Sequence, residues 1–249
     1  MPRIDFNCDL GEGCGDDAAI MPWITSANIA CGAHAGDEAT IRETLRLCRI
    51  HRVVAGAHPG YADREHFGRR ELALPHAELV ALVREQIALM DMLAREQGMA
   101  LRHVKPHGAL YNLSAHDLDT AMAVAEAVRT YDPTLLLVGL SGSMSIDAAQ
   151  SLGLRAAHEV FAERGYSADG RLLTRGTPGA VLGTDAAIAQ ALGLALRSEV
   201  AMQSGGMLRL QADTLCLHGD RTDAAEIAHT LHAALTAAGV RIQPLESSI

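Results

Sequence analysis

Aromatic side chains are scarce in this sequence, since they make up only 3% of its 249 residues, whereas 49% of the residues are hydrophobic. The core must therefore consist mainly of Ala, Leu, Val and Ile, which suits layers of helices packed on a sheet. No apolar run approaches the length of about 18 residues that a membrane-spanning helix needs. No linker or low-complexity tract divides the chain, so we expect a single domain over residues 1–249.

Positively charged residues are also fewer than negatively charged ones, since the sequence has 21 Lys and Arg residues and 30 Asp and Glu residues, for a net charge of −9. Nucleic acid or an anionic membrane would need a basic face, so we expect neither as a partner. Residues 1–5 do not lead into an apolar run of signal-peptide length. We therefore expect a cytoplasmic location.

The five cysteines form no C-x-x-C pair, and their odd number does not suit a disulfide framework, so we expect reduced thiols. Cys48 lies on the apolar face of a predicted helix, where a small side chain packs well. Cys8 and Cys31 stand beside polar clusters, which leaves open either a nucleophile or a small buried filler at these two positions.

Phosphate-binding motifs are absent, both G-x-x-x-x-G-K-S/T and a G-x-G-x-x-G loop between a strand and a helix. The glycine clusters at residues 11–15 and 205–206 lack the lysine of such a loop. The first cluster is also acidic, so it would repel a triphosphate unless a metal ion intervened. We therefore expect no ATP site in this chain.

The sequence does contain an alternation of short apolar runs and amphipathic helical stretches. Asp37 is a predicted N-cap, Ser114 and Asp117 form a predicted capping pair, and Thr222 is the predicted cap of the last helix. Such alternation is typical of a parallel sheet, either a closed barrel or an open doubly wound sheet, and we favour an α/β barrel of seven strands. The predicted strands are residues 4–8, 24–30, 53–57, 100–104, 135–138, 154–161 and 214–217.

The most polar stretch runs from Lys105 to Asn112, directly after the fourth predicted strand. It holds a cation, an imidazole, a phenol and a carboxamide within eight residues. Pro106 fixes one φ angle, and Gly108 allows a sharp turn or a close approach to a ligand. We interpret this stretch as a loop that forms the floor of a site.

Polar residues stand at or just past the carboxyl ends of most predicted strands. In parallel β/α folds these ends meet on one face, where the active sites of such enzymes are built. Imidazoles and carboxylates together supply acids and bases near neutral pH, so the pattern predicts an enzyme. The strand-end residues are Asn7, Asp9, His34, His58, Lys105, His107, Glu159, Arg164, His218 and Asp220.

The sequence leaves open whether the protein requires a metal ion. Three histidines and an aspartate at strand ends could bind Zn²⁺ or another divalent ion. However, no H-E-x-x-H pair is present, and neither His34 nor His58 has a histidine four residues away. The histidines outside the predicted site are assigned to the surface or to packing: His51, His66, His76, His103, His116, His158, His229 and His232.

Distinctive blocks occur in order along essentially the whole chain. They are Asn7-Cys8-Asp9-Leu10-Gly11-Glu12, residues 26–32 with His34-Ala35-Gly36-Asp37, Gly56-Ala57-His58-Pro59, Phe67-Gly68-Arg69-Arg70, residues 105–112 and His218-Gly219-Asp220. Together they resemble the LamB/YcsF family, whose members are now called the A subunit of 5-oxoprolinase (PxpA). Two positions depart from the family pattern, because Glu163 stands where Asp is usual and His66 stands where Gly is usual.

The resemblance implies a deformed seven-stranded β/α barrel of the glycoside hydrolase and deacetylase type. It also implies ATP-dependent cleavage of 5-oxoproline to L-glutamate together with two partner subunits, PxpB and PxpC. Because this chain lacks a phosphate-binding loop, we expect the partners to use ATP and this chain to hydrolyse the lactam. The expected catalytic residues are Asp9, His34, His58, Lys105, His107, Glu159, His218 and Asp220, and the expected substrate-binding residues are Asn7, Glu12, Asn28, Tyr111, Asn112, Arg164, Tyr166 and Arg175.

Two other classes of function remain open. A metal-dependent amidase or deacetylase that acts alone would use the same polar residues at the carboxyl ends of the strands. A non-catalytic module that binds a small acid would need only Lys and Arg anchors, and the many acids and bases argue against it.

Overall fold

Ten strands are present in the computed structural model, which describes residues 1–220 and 222–245. Seven of them, β1 to β6 and β9, run parallel and close into a barrel, because β9 pairs with both β6 and β1. The predicted seven-stranded barrel is confirmed. The strands are β1 (Arg3–Leu10), β2 (Ser26–Ala30), β3 (Val54–His58), β4 (His103–Val104), β5 (Leu136–Leu140), β6 (Ala156–Phe161), β7 (Glu199–Ala201), β8 (Met207–Arg209), β9 (Thr214–His218) and β10 (Arg241–Ile242).

Helices flank the barrel and pack their apolar faces against it. In the second of them, Ile41, Leu45 and Cys48 are buried, and Asp37 is the N-cap, which accepts a hydrogen bond from the Thr40 N–H at 2.8 Å as predicted. Within the described ranges, no helix combines the length and the apolar character needed to span a membrane. The helices are α1 (Asp17–Ile20), α2 (Glu38–His51), α3 (His76–Glu96), α4 (Gly108–Ser114), α5 (Leu118–Tyr131), α6 (Met144–Ser151), α7 (Thr184–Arg197) and α8 (Ala224–Ala237).

Helix α4 occupies part of the stretch that is predicted as a loop, so that prediction is wrong from Gly108 onward. The helix begins directly after His107, whose backbone is extended, and it buries Leu110 and Tyr111. A helix of 7 residues is too short to show a clear helical period in the sequence. Contacts with the rest of the fold stabilise such a short helix.

The end of α4 also changes the predicted caps. Ser114 is the last residue of α4 and not part of a capping pair, whereas Asp117 alone caps α5 by accepting from the Thr120 N–H at 2.8 Å. Asp223, not Thr222, stands at the N-cap of α8. The antiparallel β7–β8 pair outside the barrel is not predicted, since strands of three residues show no readable alternation.

Polar side chains fill the barrel interior beneath the carboxyl ends of the strands. Asn7 on β1 donates to Glu159 Oε1 on β6 at 3.0 Å, and Asn28 on β2 donates to Asn7 Oδ1 at 2.7 Å. Asn28 Oδ1 in turn lies 2.8 Å from His103 Nε2 on β4. Strand β3 lies between β2 and β4, and its Gly56 leaves room for the His103 ring, because a Cβ at this position would lie 2.1 Å from His103 Nε2. This network supports the residues of the mouth above it.

Candidate active site at the mouth of the barrel

A cavity of about 540 Å³ opens at the carboxyl ends of the barrel strands. Its wall is completed by the start of α4 and by residues 171–175, which belong to the long connection between β6 and α7. The predicted site residues that line it are Asp9, His58, Lys105, His107, Tyr111, Asn112, Arg164, Arg175 and His218. Position at strand ends therefore brought most of the predicted side chains to one place.

The other predicted residues lie behind this lining. Glu12 and His34 stand next to His58 and His107, and Asn7, Asn28 and Glu159 lie in the barrel interior beneath the cavity. The Asp220 carboxylate pairs with the Arg69 guanidinium at 2.5 Å. Tyr166 is fully buried away from the cavity, where its hydroxyl oxygen accepts a hydrogen bond from the Phe161 N–H at 2.8 Å.

Lys105 forms the floor of the cavity. Its Nζ lies 2.7 Å from Asp9 Oδ1 and 2.9 Å from Glu159 Oε1, and its side chain is only 2% exposed. Burial opposes the ammonium charge, but the charges of Asp9 and Glu159 outweigh this and hold the pKa of Lys105 well above its usual value. Burial likewise opposes ionisation of Asp9, but His58 and Lys105 hold its pKa well below the usual value. The floor is therefore a fixed, buried ion pair.

Beneath the floor, His103 is held neutral. Burial, followed by the positive charge of Lys105, lowers the pKa of His103 to about 3. The ring packs inside the barrel against Asn28, as its assignment to packing predicted. His116, which is assigned to the surface or to packing, is exposed and also lines the cavity.

Three imidazoles and a carboxylate form a buried cluster beside the floor: Glu12, His34, His58 and His107. Their ligand atoms all lie within 4.8 Å of one another, and this set could hold a metal ion. His58 Nε2 lies 2.9 Å from His107 Nδ1, and Glu12 Oε1 lies 3.5 Å from His107 Nδ1 and 3.9 Å from His34 Nε2. We call these four residues the His/Glu cluster.

Glycines allow the rings of the cluster to pack closely. The rings of His34 and His107 stack with centroids 3.8 Å apart. A Cβ on Gly60 would lie 2.8 Å from His34 Nδ1, and a Cβ on Gly68 would lie 2.8 Å from His34 Cβ. Gly68 also has a φ of +63°, a conformation that other residues rarely adopt. The Phe67-Gly68-Arg69-Arg70 block therefore has a structural role in building the cluster.

The electrostatics of the cluster disfavour charge on three of its members, Glu12, His34 and His107. Burial lowers the pKa of His34 to about 3, and burial together with the charges of His58 and His34 lowers that of His107 well below its usual value. Burial, followed by the charge of Asp9, raises the pKa of Glu12 to about 8. Without a cation, the cluster thus keeps these three groups neutral near pH 7.

A second histidine and carboxylate pair faces the cavity, formed by His218 at the end of β9 and Glu163 after β6. His218 Nδ1 contacts Glu163 Oε1, and Glu163 is only 1% exposed. Burial alone would raise the pKa of Glu163, but the charge and hydrogen bond of His218 lower it overall. Glu163 is absent from the predicted site residues, although its place in the block Phe161-Ala162-Glu163-Arg164 was a usable signal.

Arginines make one wall of the cavity cationic. Arg164 uses two donors to anchor the wall, because its Nε and Nη2 donate to the carbonyl oxygens of Ala180 at 3.0 Å and Leu173 at 2.6 Å. Burial, followed by the charge of Arg175, lowers the pKa of Arg164, so the two guanidinium groups repel each other. Arg171 lines the same cavity. This wall suits an anionic group of a ligand.

The two cysteines considered as nucleophiles are buried. Burial raises the pKa of Cys31 to about 12, and burial with the negative charge of Asp9 raises that of Cys8 well above its usual value. Neither thiol forms the thiolate that a nucleophile requires near neutral pH, so both act as small fillers.

The fold and the mouth define the class of protein, a closed parallel β/α barrel with a polar cavity at the carboxyl ends of its strands. The LamB/YcsF family model matches residues 4–249, and the chain belongs to this family, as the sequence blocks predicted. It is 47% identical to a Bordetella pertussis protein that is named as the A subunit of 5-oxoprolinase, over 97% of this chain and 98% of that protein.

Solved structures agree with this assignment. A lactam utilization protein from Thermus thermophilus matches with a TM-score of 0.92 and 40% identity, and the match covers 98% of this chain and 100% of that one. The peptidoglycan deacetylase PdaC from Bacillus subtilis matches with a TM-score of 0.52 and 12% identity, over 98% of this chain and 88% of that one. The second likeness shows the fold alone and confirms the predicted deacetylase-type barrel.

Proposed function

We propose that this chain is the lactam-hydrolysing component of an ATP-dependent 5-oxoprolinase, which opens 5-oxoproline to L-glutamate. The names of its relatives support the substrate class, since they refer to a 5-oxoprolinase and to lactam utilization. The observation that carries the proposal is one cavity that combines the buried Lys105 ammonium with the His218–Glu163 pair.

Opening a five-membered lactam requires an activated carbonyl, a delivered water, a stabilised oxyanion and a proton for the leaving nitrogen. Lys105 supplies the fixed positive charge, because Asp9 and Glu159 keep it ionised although it is buried. Its third donor contacts Cys216 Sγ at 3.1 Å, and this weak contact is the one that a lactam oxygen would replace. An oxyanion that forms at the lactam carbonyl would be stabilised there more in the transition state than in the ground state.

His218 supplies the base. Its Nδ1–H is held by the Glu163 carboxylate, so the lone pair on Nε2 is free to take a proton from water. The resulting hydroxide adds to the lactam carbonyl carbon, and the electron pair of the C=O bond moves to oxygen beside Lys105. When the C–N bond breaks, the imidazolium returns its proton to nitrogen, which leaves one new carboxyl group and one free amine. This carboxyl group and this amine are the groups that glutamate has in place of the lactam of 5-oxoproline.

The arginine wall supplies the anion site. Arg175 and Arg171 line the cavity, and a guanidinium binds a carboxylate or phosphate through two parallel N–H groups. The carboxylate of 5-oxoproline, or a phosphoryl group placed on the lactam oxygen, is the anion that we assign to this wall.

The ATP-dependent step is assigned to the partner subunits PxpB and PxpC. This chain carries no phosphate-binding loop in its sequence, and its relatives are named as one component of an enzyme that is built from several chains. Phosphorylation of the lactam oxygen by the partners would give the barrel a better electrophile. On that species the hydroxide adds to the same ring carbon, the electron pair of the C=N bond moves to nitrogen, and cleavage of the C–N bond leaves an acyl phosphate and the amine. A second water hydrolyses the acyl phosphate to glutamate and inorganic phosphate, so the reaction consumes one ATP and two waters.

Reconstitution tests this division of labour. The full-length chain, the two partner subunits and the complete mixture are each supplied with 5-oxoproline and ATP, and glutamate and ADP are measured. We expect glutamate only from the complete mixture. If the chain alone binds ATP at micromolar strength and forms glutamate with release of ADP, the proposal is wrong.

The His/Glu cluster favours one competing function, a metal-dependent amidase that acts without partners. Hydrolysis of a neutral amide by the purified chain without ATP would support that function. Binding of 5-oxoproline without turnover in any mixture of the three chains would instead support a small-acid binding module.

A further inference from the structure

The His/Glu cluster gathers its side chains from four separate segments. Glu12 follows β1, His34 follows β2, His58 ends β3, and His107 precedes α4. All four side chains are at most 6% exposed, and each offers one ligand atom toward the same point. No helical or strand spacing links the four positions, which is why no sequence motif indicates them.

Backbone carbonyls fix which nitrogen of two rings carries hydrogen. His58 Nδ1 lies 2.8 Å from the Lys105 carbonyl oxygen, and His107 Nε2 lies 2.9 Å from the Phe67 carbonyl oxygen. A carbonyl oxygen can only accept, so each of these nitrogens carries the hydrogen. In a neutral imidazole the other nitrogen is then a bare lone pair.

The two bare nitrogens face each other. His58 Nε2 and His107 Nδ1 are 2.9 Å apart, and the Asp9 carboxylate lies 3.4 Å from the same His58 nitrogen, so the two lone pairs repel unless a proton or a metal cation lies between them. Orientation of a ring by a carbonyl on its far nitrogen is also the arrangement that holds imidazoles bound to metals. The geometry thus calls for a positive charge at this point.

His34 supports the same conclusion independently. The residue is only 1% exposed, and within the part of the chain that the structure describes neither of its ring nitrogens has a hydrogen-bond partner. A buried polar atom without a partner is destabilising, so an unpaired imidazole at this depth calls for a ligand. Its Nε2 points to the Glu12 side, 3.9 Å from Oε1.

We propose that Glu12, His34, His58 and His107 together bind one divalent transition-metal ion of the zinc class. Three imidazole nitrogens and one carboxylate oxygen suit Zn²⁺, Co²⁺ or Fe²⁺, whereas Mg²⁺ and Ca²⁺ prefer sets of oxygen ligands. Three of the distances between the ligand atoms, 2.9, 3.5 and 3.9 Å, lie near the separation of about 3.3 Å expected around a tetrahedral zinc ion, and all of them are at most 4.8 Å. Because His58 and His107 also line the cavity, the ion would stand at its edge.

Cobalt titration of the full-length, chelator-treated chain tests the site, because Co²⁺ in a site of imidazoles and carboxylate absorbs visible light. We expect uptake of one equivalent with micromolar or tighter affinity. The variant His34→Ala should weaken this affinity by at least about 100-fold. The control His76→Ala changes an exposed histidine on α3 and should bind cobalt like the wild type.

X-ray absorption of the zinc-loaded wild-type chain covers the case in which His34→Ala fails to fold. Scattering from two or three imidazoles is expected, and a shell of oxygen ligands alone would overturn the proposal. So would the absence of stoichiometric uptake, or equal uptake by folded His34→Ala and wild type. The competing arrangement is a proton shared between His58 and His107, and ¹⁵N signals of these rings that do not change on addition of Zn²⁺ would establish it. None of these readouts depends on lactam turnover.

Discussion

Lys105 and Asp9 form an ion pair inside the barrel mouth, with Nζ 2.7 Å from Oδ1, although each side chain is at most 6% exposed. Glu159 adds a second carboxylate at 2.9 Å from the same nitrogen. The cation is therefore held in place before any ligand arrives, and the ligand need not order a flexible side chain. Such preorganisation is what a site that stabilises developing negative charge requires.

The variant Lys105→Met should lose both stability and activity. Removal of one partner leaves Asp9 and Glu159 as uncompensated buried carboxylates, which costs about 3–5 kcal/mol of the free energy of unfolding. Urea unfolding measures this loss, and glutamate formation in the reconstituted mixture should fall by about 100-fold or more.

A double variant separates the two effects. Lys105→Met/Glu159→Gln removes one uncompensated charge, so it should recover part of the lost stability but none of the lost activity. Full activity of either variant would show that the ammonium group has no part in the reaction.

The His218–Glu163 pair should act as the base. The variant Glu163→Gln keeps the size of the side chain but removes its charge, and we expect kcat/KM to fall by about 10²–10⁴-fold with little change in the melting temperature. Glu163→Asp is the matched control, since it keeps the carboxylate that holds His218, and it should retain most of the activity. Equal activity of wild type and Glu163→Gln would contradict the assignment.

Arg175 should bind the anionic part of the substrate. We expect Arg175→Ala to raise KM by roughly 10–100-fold while kcat changes less, because the lost contact is a charge-assisted hydrogen bond. The control is Arg209→Ala on β8, whose side chain is 84% exposed and lies outside the cavity. A fall in kcat at unchanged KM would assign Arg175 to the chemical step instead.

Because of His103, the free energy of unfolding should fall in mild acid. Its pKa is about 3 in the folded chain and 6.5 when unperturbed, so between these values the unfolded chain binds one more proton than the folded chain. By linkage, the stability that this neutral ring allows is present above pH 6.5 and is lost as pH falls toward 3.

The variant His103→Gln isolates this effect. Urea unfolding between about pH 6 and about pH 4, inside the window between the two pKa values, should show a slope lower by about 1.4 kcal/mol per pH unit than that of the wild type. His34 and His107 contribute in the same direction in both proteins and cancel in the comparison. Parallel slopes would mean that His103 titrates normally in the folded chain.

The barrel was predictable because its seven strands are short apolar runs that alternate with amphipathic helices. The mouth was predictable because parallel strands place their carboxyl ends on one face, which brought Asp9, Lys105 and His218 together. Helix α4 and the β7–β8 pair are too short to leave a period in the sequence, so neither was predicted.

Distances in space, which the sequence does not give, decide the rest of the site. Asn7 and Asn28 stand on strands like the other candidates, but their side chains bond to each other below the cavity. Glu163 reaches His218 only because β6 and β9 are neighbours in the barrel. The His/Glu cluster depends on four segments that meet in the fold, and its fixed ring tautomers depend on two backbone carbonyls.

The structure of the full-length chain in complex with 5-oxoproline tests the central claim most directly. We expect the lactam in the cavity at the barrel mouth, with its carbonyl oxygen within hydrogen-bond reach of Lys105 Nζ, its carboxylate on the wall of Arg175, and its carbonyl carbon facing His218. If the lactam instead binds elsewhere, such as the apolar cavity between α7 and the β7–β8 pair, or binds here with its carbonyl turned away from Lys105 and His218, the proposed reaction is contradicted.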